Sequence, residues 1–285
     1  MQRLVSRAFA ASRPFGRRVQ SLSQSRGMSS RAFFVGGNWK ANGSSSAFAE
    51  FAESMRGHKP DENEVVIALP SLFLESASAH LTRGPGTGIE LAAQDCREGG
   101  NGAHTGETTA DMLRDSGIGW TLVGHSERRA NGETSELVAE KAHYALSTNL
   151  SVVPCVGETI DERNAGTTMD VVASQVGAIA SRYERSDTDA AALWARTVIA
   201  YEPVWAIGTG EVATPAQAQE VHAFLRGWLS DNVSSDVADR TRIIYGGSVT
   251  GASCRELASM DDVDGFLVGG ASLKPEFADI MKANV

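Results

Sequence analysis

The sequence predicts an α/β protein whose strand–helix units close into a single (β/α)8 barrel. Eight short apolar runs recur at residues 33–36, 65–69, 89–93, 120–123, 151–156, 198–201, 242–245 and 265–268. Helical patterns separate them, and strands alternating with helices imply a parallel sheet. The stretch they occupy, residues 32–285, is 254 residues long, close to the roughly 250 typical of such a barrel. Polar residues with chemical potential fall directly after the runs, and in this fold all those strand ends open on one face, where active sites sit.

The segment before the first run has a different character. Residues 1–31 hold seven arginines (Arg3, Arg7, Arg13, Arg17, Arg18, Arg26 and Arg31), no lysine and no acid. Arginine-rich, serine-rich, acid-free composition marks an organelle transit peptide, and the alternation of arginine with apolar residues favours the mitochondrion over the plastid. The competing reading is a disordered basic tail that stays on the protein. The expected division is therefore a removable leader over 1–31 and a barrel over 32–285. Seven of the positive charges behind the net −9 lie in that leader, so the body carries −16. An acidic body argues against a nucleic-acid partner, whose phosphates require lysine and arginine, and against a basic membrane-binding surface. Cys96, Cys155 and Cys254 are too few and too scattered for a disulfide framework, and no CxxC pair suggests a metal.

The first run leads into Gly37-Asn38-Trp39-Lys40 and the fourth into Gly124-His125-Ser126-Glu127-Arg128-Arg129. A lone Lys40 reads as a solvated lysine and a lone His125 as a satisfied core histidine; their shared position at strand ends argues for a site. The sixth run delivers one carboxylate, Glu202, to Pro203, which holds Glu202 in extended geometry. An apolar flap ending in Gly208-Thr209-Gly210 follows. A base at a strand end beside a closable apolar flap suits proton abstraction in a dry pocket; the alternative is a surface turn after a core strand. Thr214 and Pro215 then open a helix as N-cap and first residue, with Val221, Phe224, Leu225, Trp228 and Leu229 at helical spacing. The polar stretch 187–192 reads as a surface loop. After runs seven and eight stand Gly246-Gly247-Ser248 and Gly269-Gly270. Glycine pairs let backbone N–H groups approach an anion, and the loops after strands seven and eight are a recurrent phosphate site of this fold. A single pair is weak evidence; two after consecutive strands favour phosphate over simple tight turns.

These segments, together with 200–210 and 265–271, closely resemble the motifs of the triosephosphate isomerase family, in order and spacing, from Phe33 to the C-terminus. The resemblance implies a TIM barrel that interconverts dihydroxyacetone phosphate and D-glyceraldehyde 3-phosphate in glycolysis and gluconeogenesis, without metal or cofactor, as a homodimer. It assigns Glu202 as the base, His125 as a neutral imidazole that polarises the substrate oxygens, Lys40 as fixed positive charge and Asn38 as a hydrogen-bond donor to substrate, roles for which this family is itself the standard illustration. Gly208, Ser248 and Gly270, with Gly269 adjacent, would hold the phosphate, Ser126 and Glu127 would orient their neighbours, and 203–213 would be the lid. Thr105, in the loop 102–107, would reach the partner's catalytic lysine. Two departures fall on that contact. His104 stands where an aromatic is usual, and only Ala130-Asn131 separates Arg129 from Gly132. Another phosphosugar isomerase or aldolase on this barrel would need a Schiff-base lysine or a second catalytic carboxylate at a strand end, and neither stands out. An idle barrel kept for binding would have no need of Glu202, His125 and Lys40 together.

Overall fold

The computed structural model describes residues 31–55, 58, 63–81, 88–207 and 213–285. Its eight strands are β1 (Phe34–Asn38), β2 (Glu64–Leu69), β3 (Ile89–Ala93), β4 (Trp120–Val123), β5 (Ser151–Val156), β6 (Val198–Tyr201), β7 (Arg242–Tyr245) and β8 (Gly265–Val268). They pair in parallel and in sequence order, and β8 returns to β1 through Phe34↔Gly265 to close a TIM barrel. Residues 1–30, expected to be a leader, lie outside the described part. Arg31, assigned to the leader by composition, is bound to the barrel: its Nε lies 2.7 Å from Asp264 Oδ1 and its Nη1 donates to Asp239 O.

Period-two alternation sorts the strand residues into two cores. Phe34, Val66, Ala68, Ala92, Trp120, Leu122, Val153, Cys155, Val198, Ala200, Ile244 and Leu267 form a cluster made of strand residues alone, the barrel interior. Val35, Ile67, Ile199, Tyr201, Ile243 and Tyr245 belong instead to the layer packed against the helices. The alternation has a direct consequence for the site. Val198 and Ala200 face inward, so Glu202, two residues on, is aimed at the barrel mouth; Phe34, Gly36 and Asn38 stand in the same relation on β1.

The helix opened by Thr214 runs Pro215–Asn232, with Thr214 and Gln217 forming a reciprocal capping box. Val221, Leu225 and Leu229 are buried on it, while Phe224 and Trp228 are half-buried at its edge. The stretch read as a loop over 187–192 contains the start of a short helix, Ala190–Trp194, capped by Asp189 and anchored by buried Leu193 and Trp194. All three cysteines are free and buried. Among the described residues no helix is long and apolar enough to cross a membrane.

Candidate active site

Asn38 closes β1 with its side chain buried at the barrel mouth. Its Oδ1 accepts the Lys40 N–H at 2.9 Å, and Lys40 adopts a left-handed backbone, φ 50°. A lysine there stores strain of about 1 kcal/mol or more, and the surroundings hold it: Gln94 Nε2 donates to Lys40 O at 2.9 Å and to Ala68 O at 3.1 Å. The tight bend turns the Lys40 ammonium back across the mouth, 2.7 Å from Glu127 Oε1.

His125 leaves β4 through Gly124, whose φ of +67° suits glycine and where a Cβ would strike Val138 at 2.6 Å. The ring caps the helix Ser126–Ala130: Nδ1 accepts the Glu127 N–H at 3.2 Å. An acceptor Nδ1 carries no proton, so the neutral ring holds its proton on Nε2. That Nε2 lies 2.9 Å from Glu202 Oε1, while Ser126 N–H donates to Glu202 Oε2 at 3.0 Å. Burial disfavours a charged ring, but the Glu202 carboxylate and then Glu127 outweigh it and raise His125 above its ordinary value. The backbone donor at Nδ1 favours the neutral ring, whereas the Glu202 carboxylate at Nε2 favours the charged one. Burial also works on Glu127, where the Lys40 ammonium and His125 overcome it and lower the carboxyl. Glu202 itself is buried. A Cβ at position 246 would sit 2.9 Å from Glu202 Cγ, so Gly246 leaves the carboxylate arm its space.

A cavity of about 370 Å³ joins these groups to the glycine loops. Asn38, Lys40, His125 and Glu202 line one end; Gly246, Gly247, Ser248, Gly269 and Gly270 line the other. A model of the family described as triosephosphate isomerase matches residues 33–284. The chain belongs to the triosephosphate isomerase family.

The structure thus brings together most of the residues that resemblance to the triosephosphate isomerase family singles out. Ser126 and Glu127 adjoin them as hydrogen-bond partners of Glu202 and of His125 and Lys40. Gly208 lies outside the described residues. Thr105 does not line the cavity; it is exposed on its loop. Several contributors carry no motif. Gln94 follows β3 directly, so the strand-end rule that selected Lys40 and His125 also reaches it. Lys274 and Glu276 line the cavity, and Glu276 Oε2 accepts the Gly251 N–H at 3.1 Å, tying the loop after β8 to that after β7. Fully buried Glu158 holds the start of the flap: its Oε1 accepts from Tyr201 OH at 3.2 Å and from Trp205 Nε1 at 2.9 Å.

Proposed function

We propose that the protein interconverts dihydroxyacetone phosphate and D-glyceraldehyde 3-phosphate, and so serves glycolysis and gluconeogenesis. The observation that carries this reading is one cavity holding a buried carboxylate, an imidazole and a lysine at one end and two glycine-pair loops at the other. Glu202 takes a proton from C1 of the ketose. The electron pair left behind forms the C1–C2 double bond and pushes charge onto the carbonyl oxygen, giving an enediolate. His125 Nε2–H and the Lys40 ammonium face that developing charge, which is where fixed donors lower a barrier most. Return of the proton from Glu202 to C2, with transfer of the O1 hydroxyl proton to O2 by way of the imidazole, completes the aldose. No proton is gained or lost overall, and no step calls for a metal or cofactor. Asn38 supplies a further donor, and Ser248, Gly269, Gly270 and Gly208 hold the phosphate.

The resting geometry requires one rearrangement. The Nε2–H that must face the substrate is engaged by the carboxylate that must attack it, so substrate entry has to part them. A coupled assay with each triose phosphate tests the reading. Turnover in both directions supports it; activity only on another phosphosugar, or on none, overturns it.

We further propose a homodimer built around the loop 102–107, with Thr105 reaching the partner's site. Supporting it, Leu72 and Met112 are 83% and 47% exposed, and Thr108, just past that loop, donates through Oγ1 to Oγ of Ser71, the neighbour of Leu72, at 3.3 Å. The leader is proposed to address the protein to the mitochondrion. Arg31's bond to Asp264 favours cleavage upstream of it, in the Arg26-Gly27-Met28 region. A reporter fused to residues 1–30 should enter mitochondria; entry into plastids or retention in the cytosol would defeat that assignment.

A further inference from the structure

Gly269 and Gly270 share one peptide unit, and its carbonyl is held twice by the same residue. Ser272 N donates to Gly269 O at 2.9 Å, and Ser272 Oγ donates to that oxygen at 2.7 Å. In a trans peptide the N–H points away from the C=O, and every described peptide is trans. Fixing Gly269 O toward Ser272 therefore fixes the Gly270 N–H on the opposite side of the unit, and Gly270 lines the cavity.

Ser272 itself does not line the cavity and is fully buried. It is wedged against β1, where a Cβ on Gly37 would lie 3.0 Å from Ser272 Cβ. A buried hydroxyl there must find an acceptor. The backbone bond alone belongs to the short turn Gly270–Leu273 and leaves the peptide one tether. The hydroxyl adds a second on the same oxygen, opposing rotation of the unit. A donor held in place before the anion arrives needs no reorganisation when it binds.

We infer that Ser272 is a positioning residue of the phosphate site, locking the Gly269–Gly270 peptide so that the Gly270 N–H faces the phosphate. The inference rests on the phosphate reading above. Its test compares wild type with Ser272→Ala in the full-length protein, using three readouts: KM for D-glyceraldehyde 3-phosphate, competitive inhibition by inorganic phosphate, and turnover of D-glyceraldehyde, which lacks the phosphate. The KM and the phosphate inhibition constant should rise about five- to tenfold, the range one net hydrogen bond supports. D-Glyceraldehyde turnover should stay within about twofold, because only the phosphate end is altered. Ser272→Cys, which keeps the volume and donates weakly, should fall between. Phosphate constants that match wild type in either variant that folds overturn the inference. So does a parallel loss on D-glyceraldehyde, which a general structural role would produce. Wild type that phosphate does not inhibit would instead defeat the underlying site assignment.

Discussion

His125 Nε2 and Glu202 Oε1 stand 2.9 Å apart, each covering the surface the other needs for chemistry. The contact makes the charge state of the ring depend on where the carboxylate sits. With Glu202 in place, His125 is raised above its ordinary value of 6.5; burial and the Lys40 ammonium oppose that.

Glu202→Gln should therefore lower the His125 pKa, because the attraction is removed while burial and Lys40 remain. Ring-nitrogen NMR across pH 5 to 8 measures it directly. The same shift sets a stability sign. A folded pKa above 6.5 contributes stability that is fully present below the unfolded value and fades as pH rises through the folded one. The variant should accordingly lose more stability relative to wild type at pH 5.5 than at pH 8. An unchanged or higher His125 pKa in the variant would contradict the coupling.

His222 titrates in the opposite sense. It lies fully buried, its Nδ1 3.1 Å from Asp262 O, between Tyr201 and Tyr245 at ring distances of 5.8 and 6.4 Å. Burial pushes it down to about 4. Between pH 6.5 and 4 the unfolded chain takes up a proton that the folded one refuses, so stability falls with pH by up to about 3 kcal/mol. His222→Leu should flatten that loss, and Asp262 O keeps a donor in Arg226 Nη2 at 3.3 Å. Urea midpoints at pH 7 and pH 4.5 decide it. Equal losses in wild type and variant would remove His222 from the account of acid sensitivity.

The proposed dimer face gives a third expectation. Leu72→Glu places a charge where an exposed leucine awaits a partner, and a central apolar contact is worth about 2 kcal/mol or more. The change occurs twice in a symmetric contact, so the dissociation constant should rise by about 10³-fold in sedimentation velocity. Activity should fall alongside if, as proposed, Thr105 is supplied in trans. A variant that sediments like wild type would place the interface elsewhere.

What the sequence showed and what it hid divide along physical lines. The strands were legible because buried parallel strands are short apolar runs, and Glu202 because the alternation from Val198 carries it to the mouth. His125, Lys40 and the glycine pairs were legible because this fold gathers strand ends on one face. Arg31's tie to the barrel was hidden because composition is local, whereas its partner Asp264 lies 233 positions away. The helix Ala190–Trp194 hid inside a polar stretch because Leu193 and Trp194, which bury it, fall just past that stretch. Gln94 stands at a strand end the chain does mark, but its bonds, like those of Ser272, go to backbone carbonyls, and Glu158 acts through burial against Tyr201 and Trp205. Such bonds leave no spacing pattern in a chain and appear only once the loops are folded.

The central claim is that Glu202 is the proton-transferring base, and its most direct test is the steady-state kinetics of Glu202→Ala with D-glyceraldehyde 3-phosphate. The account predicts a kcat lower by ~10²-fold or more, with inorganic phosphate still inhibiting at close to its wild-type constant and the fold intact. A variant whose kcat stays within a few-fold of wild type would contradict it.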